Sequence, residues 1–241
     1  MRYSNNMRRV ALWSLILAIA LAPAASLLAR GSGEDSDDAN QQDNERGFTV
    51  HSGQVPLEID YLTAEEADAQ GYQAATLAGG CFWCMEPPYT DLEGVIEVTV
   101  GFSGGHLEHP RYRQVVGGGT GHLEVVQVIY DPELISYDEI LDIFWVNIDP
   151  LDDGGQFCDR GEMYQSAIFY HNDEQRSAAQ ASKAALEDRF EDAIVTEIRE
   201  YEAFYPAEKQ HQGYARKNPV RYNFYRTQCG RDARLSQLWD D

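Results

Sequence analysis

Two runs, "VIEVTVGF" (Val95 to Phe102) and "HLEVVQVIY" (His122 to Tyr130), constrain the fold most. Both are rich in β-branched residues and the first alternates, so each is expected as a strand. Between them lies "SGGHLEHPRYRQVVGGGTG", a glycine-rich connection with one helical turn expected around Tyr112 to Val116. A connection of that length inside a compact domain points to a functional loop. The remaining elements arrange themselves around this pair. Ala74 to Ala78 reads as a buried strand ended by Gly79 and Gly80, and Cys81 to Leu92 as a helix bent by Pro87 and Pro88. Tyr137 to Asn147 places Ile140, Leu141, Phe144 and Trp145 on one helical face, with Ser136 as N-cap. After a second long loop, "IDPLDDGGQFCDRGEMY", a strand is expected at Gln165 to His171, a helix at Asp173 to Phe190 and a strand at Ile194 to Tyr201. A short helix over Ala207 to Lys217 is expected to stop at Asn218-Pro219. The tail "VRYNFYRTQCGRDARLSQLWDD" is expected to be irregular before a last helical turn. The order β-α-β-β-α-β followed by α-β matches a split βαβ. The fold class is therefore α+β: a two-layer sandwich with a mixed sheet, a ferredoxin-like core with additions, and helices on one face.

The N-terminus sets the boundaries. Arg2, Arg8 and Arg9 form a basic flank, Val10 to Ala22 is apolar apart from Ser14, and "APAAS" supplies small residues of the kind a signal peptidase accepts. Residues 1–30 are thus expected to be a signal peptide or an N-terminal membrane anchor, and the protein to be exported. Residues 31–70 read as an acidic linker and an extension packed on the domain, 71–230 as the folded domain and 231–241 as a C-terminal tail. Fourteen tyrosines and nine phenylalanines suit a packed enzyme. A formal charge of -21 argues against nucleic acid as a partner, because phosphate is repelled.

The reactive chemistry concentrates in "LAGGCFWCMEPP", where Cys81 and Cys84 bracket Phe82 and Trp83. Structural zinc needs about four ligands, usually as two close pairs; Cys158 and Cys229 stand alone, so no metal is expected. A structural Cys81–Cys84 bridge would close too small a loop to stabilise much, whereas a structural Cys158–Cys229 bridge is a sensible reading in an exported chain. A thioredoxin-like CxxC disulfide oxidoreductase is the main alternative, since helix-start amides favour a thiolate. Against it stand the two bulky aromatics between the cysteines. The remaining reading makes Cys81 a nucleophile beside an apolar wall of Phe82 and Trp83.

"GCFWCME", "GFSGGHLEHPRYRQVVGGGTGHLEVVQVIYDP", "FCDRGEMYQSAIFY" and "EKQHQGYARKNP" together resemble the peptide methionine sulfoxide reductases of the A type, from about Ala75 to Asn218. That resemblance implies the two-layer α+β fold and an S-epimer-specific peptide-methionine sulfoxide reductase, repairing methionine sulfoxide in proteins or as the free amino acid. It implies Cys81 as nucleophile, Glu124 of "TGHLE" as proton donor, and Tyr112 and Tyr164 as hydrogen-bond donors to the sulfoxide oxygen. Asp159 matches an aspartate near that site, Phe82 and Trp83 match the pocket for the substrate methyl group, and Glu86 matches a further glutamate. Glu124 can act as an acid only if burial keeps it protonated; the flanking Val125, Val126 and Val128 are consistent with burial. His122 is read as structural, with a hydrogen bond to the loop as the alternative.

No cofactor is implied. Attack by Cys81 leaves a sulfenic acid, which a second thiol must resolve. Many members of the family have glycine at the position of Cys84 and resolving cysteines in a glycine-rich tail. Here the candidates are Cys229, Cys84 and Cys158, with Cys229 favoured as part of a mobile tail. The resulting disulfide is expected to be returned to thiols by a thioredoxin-like reductant, and the protein to act as a monomer.

Overall fold

A computed structural model of the chain describes residues 59–240. The signal or anchor segment and the acidic linker expected at the N-terminus lie outside the described residues. In chain order the elements are α1 (Ala64–Asp68), β1 (Gln73–Gly79), α2 (Phe82–Met85), α3 (Pro87–Thr90), β2 (Val95–Ser103), α4 (Tyr112–Val116) and β3 (Leu123–Tyr130). There follow α5 (Tyr137–Trp145), β4 (Gly155–Gln156), β5 (Asp159–Arg160), a 3-10 turn (Glu162–Tyr164), β6 (Ser166–Tyr170) and α6 (Asp173–Leu186). The chain closes with β7 (Glu197–Glu200), β8 (Phe204–Pro206), α7 (Tyr214–Lys217), α8 (Pro219–Gln228) and α9 (Arg231–Trp239).

Six strands form one mixed sheet in the order β7-β6-β1-β3-β2-β8. Its inner four, β6-β1-β3-β2, pair antiparallel throughout, which is the split βαβ arrangement: β3 inserts between β1 and β2. Being central explains the composition of β1 and β3. Both faces of β3 are buried along its whole length, so the strand carries Leu123, Val125, Val126, Val128 and Ile129 with little alternation. The α6 crossover then returns the chain to lay β7 parallel to β6. Asn172 caps α6 by accepting from the Gln175 amide at 2.8 Å, and Ser136 with Glu139 makes a reciprocal capping box on α5.

The main core lies between the sheet and the helices. Leu77, Phe102 and Val126 meet Phe82, Met85, Ile140 and Phe144 there, all at most 1% exposed. Burying each such side chain contributes about 1.5–3 kcal/mol. On the sheet's other face, Ala78, Val125, Ala167 and Phe169 pack with Tyr61 and Tyr201, while α1 sets Ala67 against Ala74 and Ile129. The described part of the expected extension thus does pack on the domain.

The C-terminal third departs from the sequence reading. Of the helix expected over Ala207 to Lys217, only α7 forms. The preceding segment forms turns instead, fastened to the sheet by Gln212, whose side chain accepts from the Val100 amide at 2.9 Å and donates to the Val100 and Ala207 carbonyls. Gly213 (φ 62°) then turns the chain into α7. Asn218-Pro219 does not end structure: Pro219 occupies the first position of α8, where its missing N–H costs nothing. The tail expected to be irregular consists of α8 and α9, joined at Gly230 (φ 70°). The α9 helix is tied to the domain. Trp239 donates its indole N–H to the Ile148 carbonyl at 3.1 Å, Arg234 pairs with Asp149 at 2.7 Å, and Leu238 is buried. The folded domain therefore continues past residue 230 through α9.

Candidate active site

Strand β1 delivers the CxxC segment through a glycine pair with little room for anything larger. A Cβ on Gly79 would lie 2.6 Å from the Met85 side chain, and Gly80 combines φ 81° with a Gln156 Cβ that would lie 2.5 Å away. Cys81 is the N-cap of α2, a helix of only four residues. So short a helix has little macrodipole, and the amide that follows Cys81 is not left for a thiolate. Phe82 N–H donates instead to Glu124 Oε2 at 3.0 Å.

That bond brings the expected nucleophile and the expected acid together. Glu124 is the second residue of β3, opposite Phe102 of β2, and is 1% exposed. Burial pushes its carboxyl up to about 8, the Phe82 amide opposes the rise, and the charges of Asp159 and Cys84 add to it. Glu124 is therefore protonated at neutral pH, as its expected role requires. Tyr112, at the start of α4, and Tyr164, at the end of the 3-10 turn, have paired hydroxyls that both feel Glu124 and Cys81. Burial drives both phenols up, Tyr112 to about 12, so both remain donors.

Phe82 is 1% exposed and forms a floor against Phe102 (5.9 Å) and Tyr112 (6.1 Å). Trp83 stands as a half-buried wall, stacked on Tyr214 at 3.8 Å. His211 fills the angle between Phe82, Trp83 and Tyr112, and burial lowers its pKa, which keeps the ring neutral. His122 holds the long loop: Gly105 N–H donates to its Nδ1 at 3.1 Å, leaving Nε2 to donate to the Leu107 carbonyl at 2.8 Å. Glu86 is not brought into this group. Its carboxylate accepts the Gly213 amide at 2.7 Å and the Tyr214 amide, so it pins the start of α7.

The cysteines sort into two pairs. Cys158 and Cys229 are joined in a disulfide, with Cα atoms 4.9 Å apart across 71 residues of sequence, while Cys81 and Cys84 are free and buried. The expectation of Cys229 in a mobile tail is corrected: α8 is a packed helix and the residue that ends it is covalently held. Cys158 is spent in the same bond. Closing a loop of that length stabilises the fold by about 2–4 kcal/mol. The only cluster of three or more metal-ligating side chains among the described residues is Cys158, Asp159 and Cys229, and its sulfurs are bonded to each other. Cys84 alone remains as a thiol beside Cys81, and the two sulfurs share a hydrogen bond. Burial, that hydrogen bond and the Glu124 charge push Cys81 up. The bond from Cys81, helped by Arg231 and Arg226 and opposed by burial, draws Cys84 down to about 7. The pair thus loses its first proton together, with the charge favoured at Cys84. Both residues are buried, Cys81 at 6% and Cys84 at 1% exposure, so a partner thiol exchanges with this pair only after the turn that carries it opens.

One member of the site was missed in the sequence. Tyr225, on α8, lies with its hydroxyl in hydrogen-bond reach of both the Asp159 carboxylate and the Cys81 sulfur, so its single proton serves one or the other. The Cys158–Cys229 bond holds this arrangement, since Asp159 adjoins Cys158 and Tyr225 lies one turn before Cys229. Tyr222, Tyr225 and Cys229 recur at helical spacing on one face of α8. That periodicity was the signal, hidden in a segment too polar to read as a helix.

Comparison with known proteins agrees with this geometry. A family model described as peptide methionine sulfoxide reductase matches residues 73–241. The chain is 49% identical over 173 residues to the peptide methionine sulfoxide reductase MsrA of Bacillus licheniformis, covering 71% of this chain and 96% of that one. It is likewise 49% identical over 167 residues to MsrA 2 of Staphylococcus aureus, covering 68% and 94%. Among solved structures it is similar to reduced Mxr1 of Saccharomyces cerevisiae (TM-score 0.60, 32% identity, 62% of this chain and 87% of that one). It is also similar to methionine sulfoxide reductase A of Corynebacterium diphtheriae (TM-score 0.57, 31% identity, 62% and 76%). A match that takes in β1, both site loops and the C-terminal helices leaves one assignment: the chain belongs to the peptide methionine sulfoxide reductase family, in its A branch.

Proposed function

We propose that this protein reduces the S epimer of methionine sulfoxide, free or in proteins, with Cys81 as nucleophile and Cys84 as the resolving thiol. The observation that carries the proposal is the buried, protonated carboxyl of Glu124 bound to the amide adjoining Cys81. In the first step the Cys81 sulfur attacks the sulfoxide sulfur. Collapse of the four-coordinate sulfur so formed breaks both the S–O bond and the new S–S bond, the oxygen passes to Cys81 as a sulfenic acid, and methionine leaves. Glu124 supplies a proton to the oxygen as negative charge develops on it, and the Tyr112 and Tyr164 hydroxyls donate hydrogen bonds to the same atom. Phe82 and Trp83 shelter the substrate methyl group. In the second step Cys84 attacks the sulfenic sulfur, forming the Cys81–Cys84 bond and releasing water. A thioredoxin-like dithiol then returns two electrons and two protons by exchange.

The direct test uses the unaltered protein with the Cys158–Cys229 bond intact. Incubated with excess methionine S-sulfoxide and no reductant, it is expected to form one equivalent of methionine and lose two thiols. Peptide mass mapping then locates the new disulfide between residues 81 and 84. Formation of methionine with no loss of thiols excludes the scheme.

The basic flank and apolar run at the N-terminus support the further reading that the domain works outside the cytoplasm, with its reductant on the same side. A reporter enzyme that is active only after export, fused behind residue 58, is expected to be active. Activity confined to cytoplasmic fusions overturns the placement.

A further inference from the structure

Arg231, the first residue of α9, is the largest fully buried side chain among the described residues, at 1% exposure. A buried guanidinium ordinarily has a carboxylate partner, because an unpaired charge in the interior is costly. Among the described residues none forms an ion pair with Arg231. Its Nη2 instead donates to the carbonyls of Gly79 (3.2 Å) and Asn147 (2.6 Å) and lies 3.0 Å from Met85 Sδ. Its Nε has no partner at all.

The surroundings are built for it. Gly79 ends the strand that leads into Cys81, and Met85 follows Cys84, so the cation underlies the turn that carries both free thiols. The Phe157 ring covers the guanidinium at 4.4 Å. The Phe157 backbone there adopts φ 56°, a left-handed conformation unfavourable for a bulky residue. The strongest charge interaction Arg231 feels is with the Cys84 sulfur, ahead of Cys81.

We infer that Arg231 is a positioning residue for the second chemical step, the buried counter-cation that holds the negative charge of the Cys81/Cys84 pair on the Cys84 sulfur. A thiolate at that position is the species that attacks the sulfenic sulfur of Cys81: the S–S bond forms, the S–O bond breaks, and the departing oxygen takes a proton to become water. The inference rests on Cys84 being the resolving thiol. Other charged or titratable groups also act on Cys84. They are Cys81 on the same turn, Arg226 and Tyr222 from α8, Asp159 from β5 and Glu124 from β3. Arg226 is more exposed than Arg231 and already paired with Asp232 at 2.5 Å, so it compensates Cys84 less.

The test compares Arg231→Met, which fills the space without charge, with Arg231→Lys, which keeps the charge and loses the fork. Thiolate absorbance is titrated in a Cys81→Ala background, where Cys84 is the one free thiol. Arg231→Met is expected to move the Cys84 titration up by about one pH unit or more, and Arg231→Lys to restore most of that shift. With Cys81 present, sulfenic acid trapping is expected to show resolution slowed about tenfold in Arg231→Met, while the first equivalent of methionine forms at an unchanged rate. An unmoved titration in Arg231→Met overturns the inference, as does a shift in Arg231→Lys as large as in Arg231→Met. If Arg231→Met does not fold, a Lys variant that titrates with the unaltered arginine protein supports the inference and one that shifts by a full unit refutes it. Should Cys84→Ser still resolve the sulfenic acid, the resolving assignment fails, and the titrations still report whether the cation holds charge at residue 84.

Discussion

Serine at position 81 is expected to abolish methionine formation, whereas serine at position 84 is expected to leave one turnover and remove the rest. An alcohol cannot replace the Cys81 thiolate at a sulfoxide sulfur, so Cys81→Ser loses on the order of 10⁴-fold or more in rate. Cys84→Ser keeps the nucleophile, the Glu124 acid and the two tyrosine donors. It loses one hydrogen bond to the Cys81 sulfur, a change of about 1 kcal/mol, so the first equivalent of methionine still appears within a few-fold of the normal rate. The sulfenic acid then has no neighbour to resolve it. Cys158 and Cys229 are committed to each other, so only an external thiol is left to resolve it. Adjacent groups enjoy effective molarities of ~10⁵ M or more, so steady-state turnover with a dithiol reductant falls at least about 10²-fold. The measurement is methionine release by rapid quench, followed by trapping of the sulfenic acid in Cys84→Ser. Sustained turnover in Cys84→Ser, together with its loss in Cys158→Ser or Cys229→Ser, assigns resolution to the outer pair instead.

The sequence disclosed the sheet and the CxxC turn but not the helices that cover them, for a physical reason. Strands β1, β2 and β3 and helix α5 are legible because burial dictates their composition: Val126, Val128, Ile140 and Phe144 have no alternative environment. The helical turn at Tyr112 is short, yet its place between glycine clusters left it little choice. The α8 and α9 helices, by contrast, bury few apolar residues. Their inward contacts are made by Tyr222, Tyr225, Arg231 and Trp239, residue types that composition assigns to a surface. The same weakness misplaced Cys229, because a tail read as irregular leaves its cysteine free. Cys81, Glu124, Tyr112, Tyr164 and Asp159 were found through motifs, and the structure gathers all five around one sulfur. Glu86, matched in the same motif to a glutamate of less defined role, lies elsewhere. Adjacency in sequence could not show that its carboxylate serves the amides of Gly213 and Tyr214.

Glu124→Gln is expected to slow the first turnover by about 10²–10³-fold while making the protein harder to unfold at alkaline pH, a combination that separates an acid from a scaffold residue. Glutamine retains an oxygen to accept the Phe82 amide but has no acidic proton to deliver, and loss of general acid catalysis costs about that factor. The pH profile gives the sign. In the unaltered protein the first-turnover rate falls at alkaline pH as Glu124 ionises at about 8. Glu124→Gln loses this falling limb. Stability follows from the same titration. The carboxyl ionises near 4.5 when the chain is unfolded and at about 8 when folded. Between those values the unfolded state releases a proton that the native state retains, so stability declines as pH rises, by on the order of 4 kcal/mol at pH 8. Glutamine carries no charge in either state and removes this slope. Relative to the unaltered protein, the variant therefore gains stability steadily from pH 5 to pH 8 in urea titrations, and the paired measurement cancels the contributions of Asp159 and Glu86. A variant that is slow but shows the same pH–stability slope as the unaltered protein means that Glu124 is already ionised at neutral pH, and then it cannot be the acid.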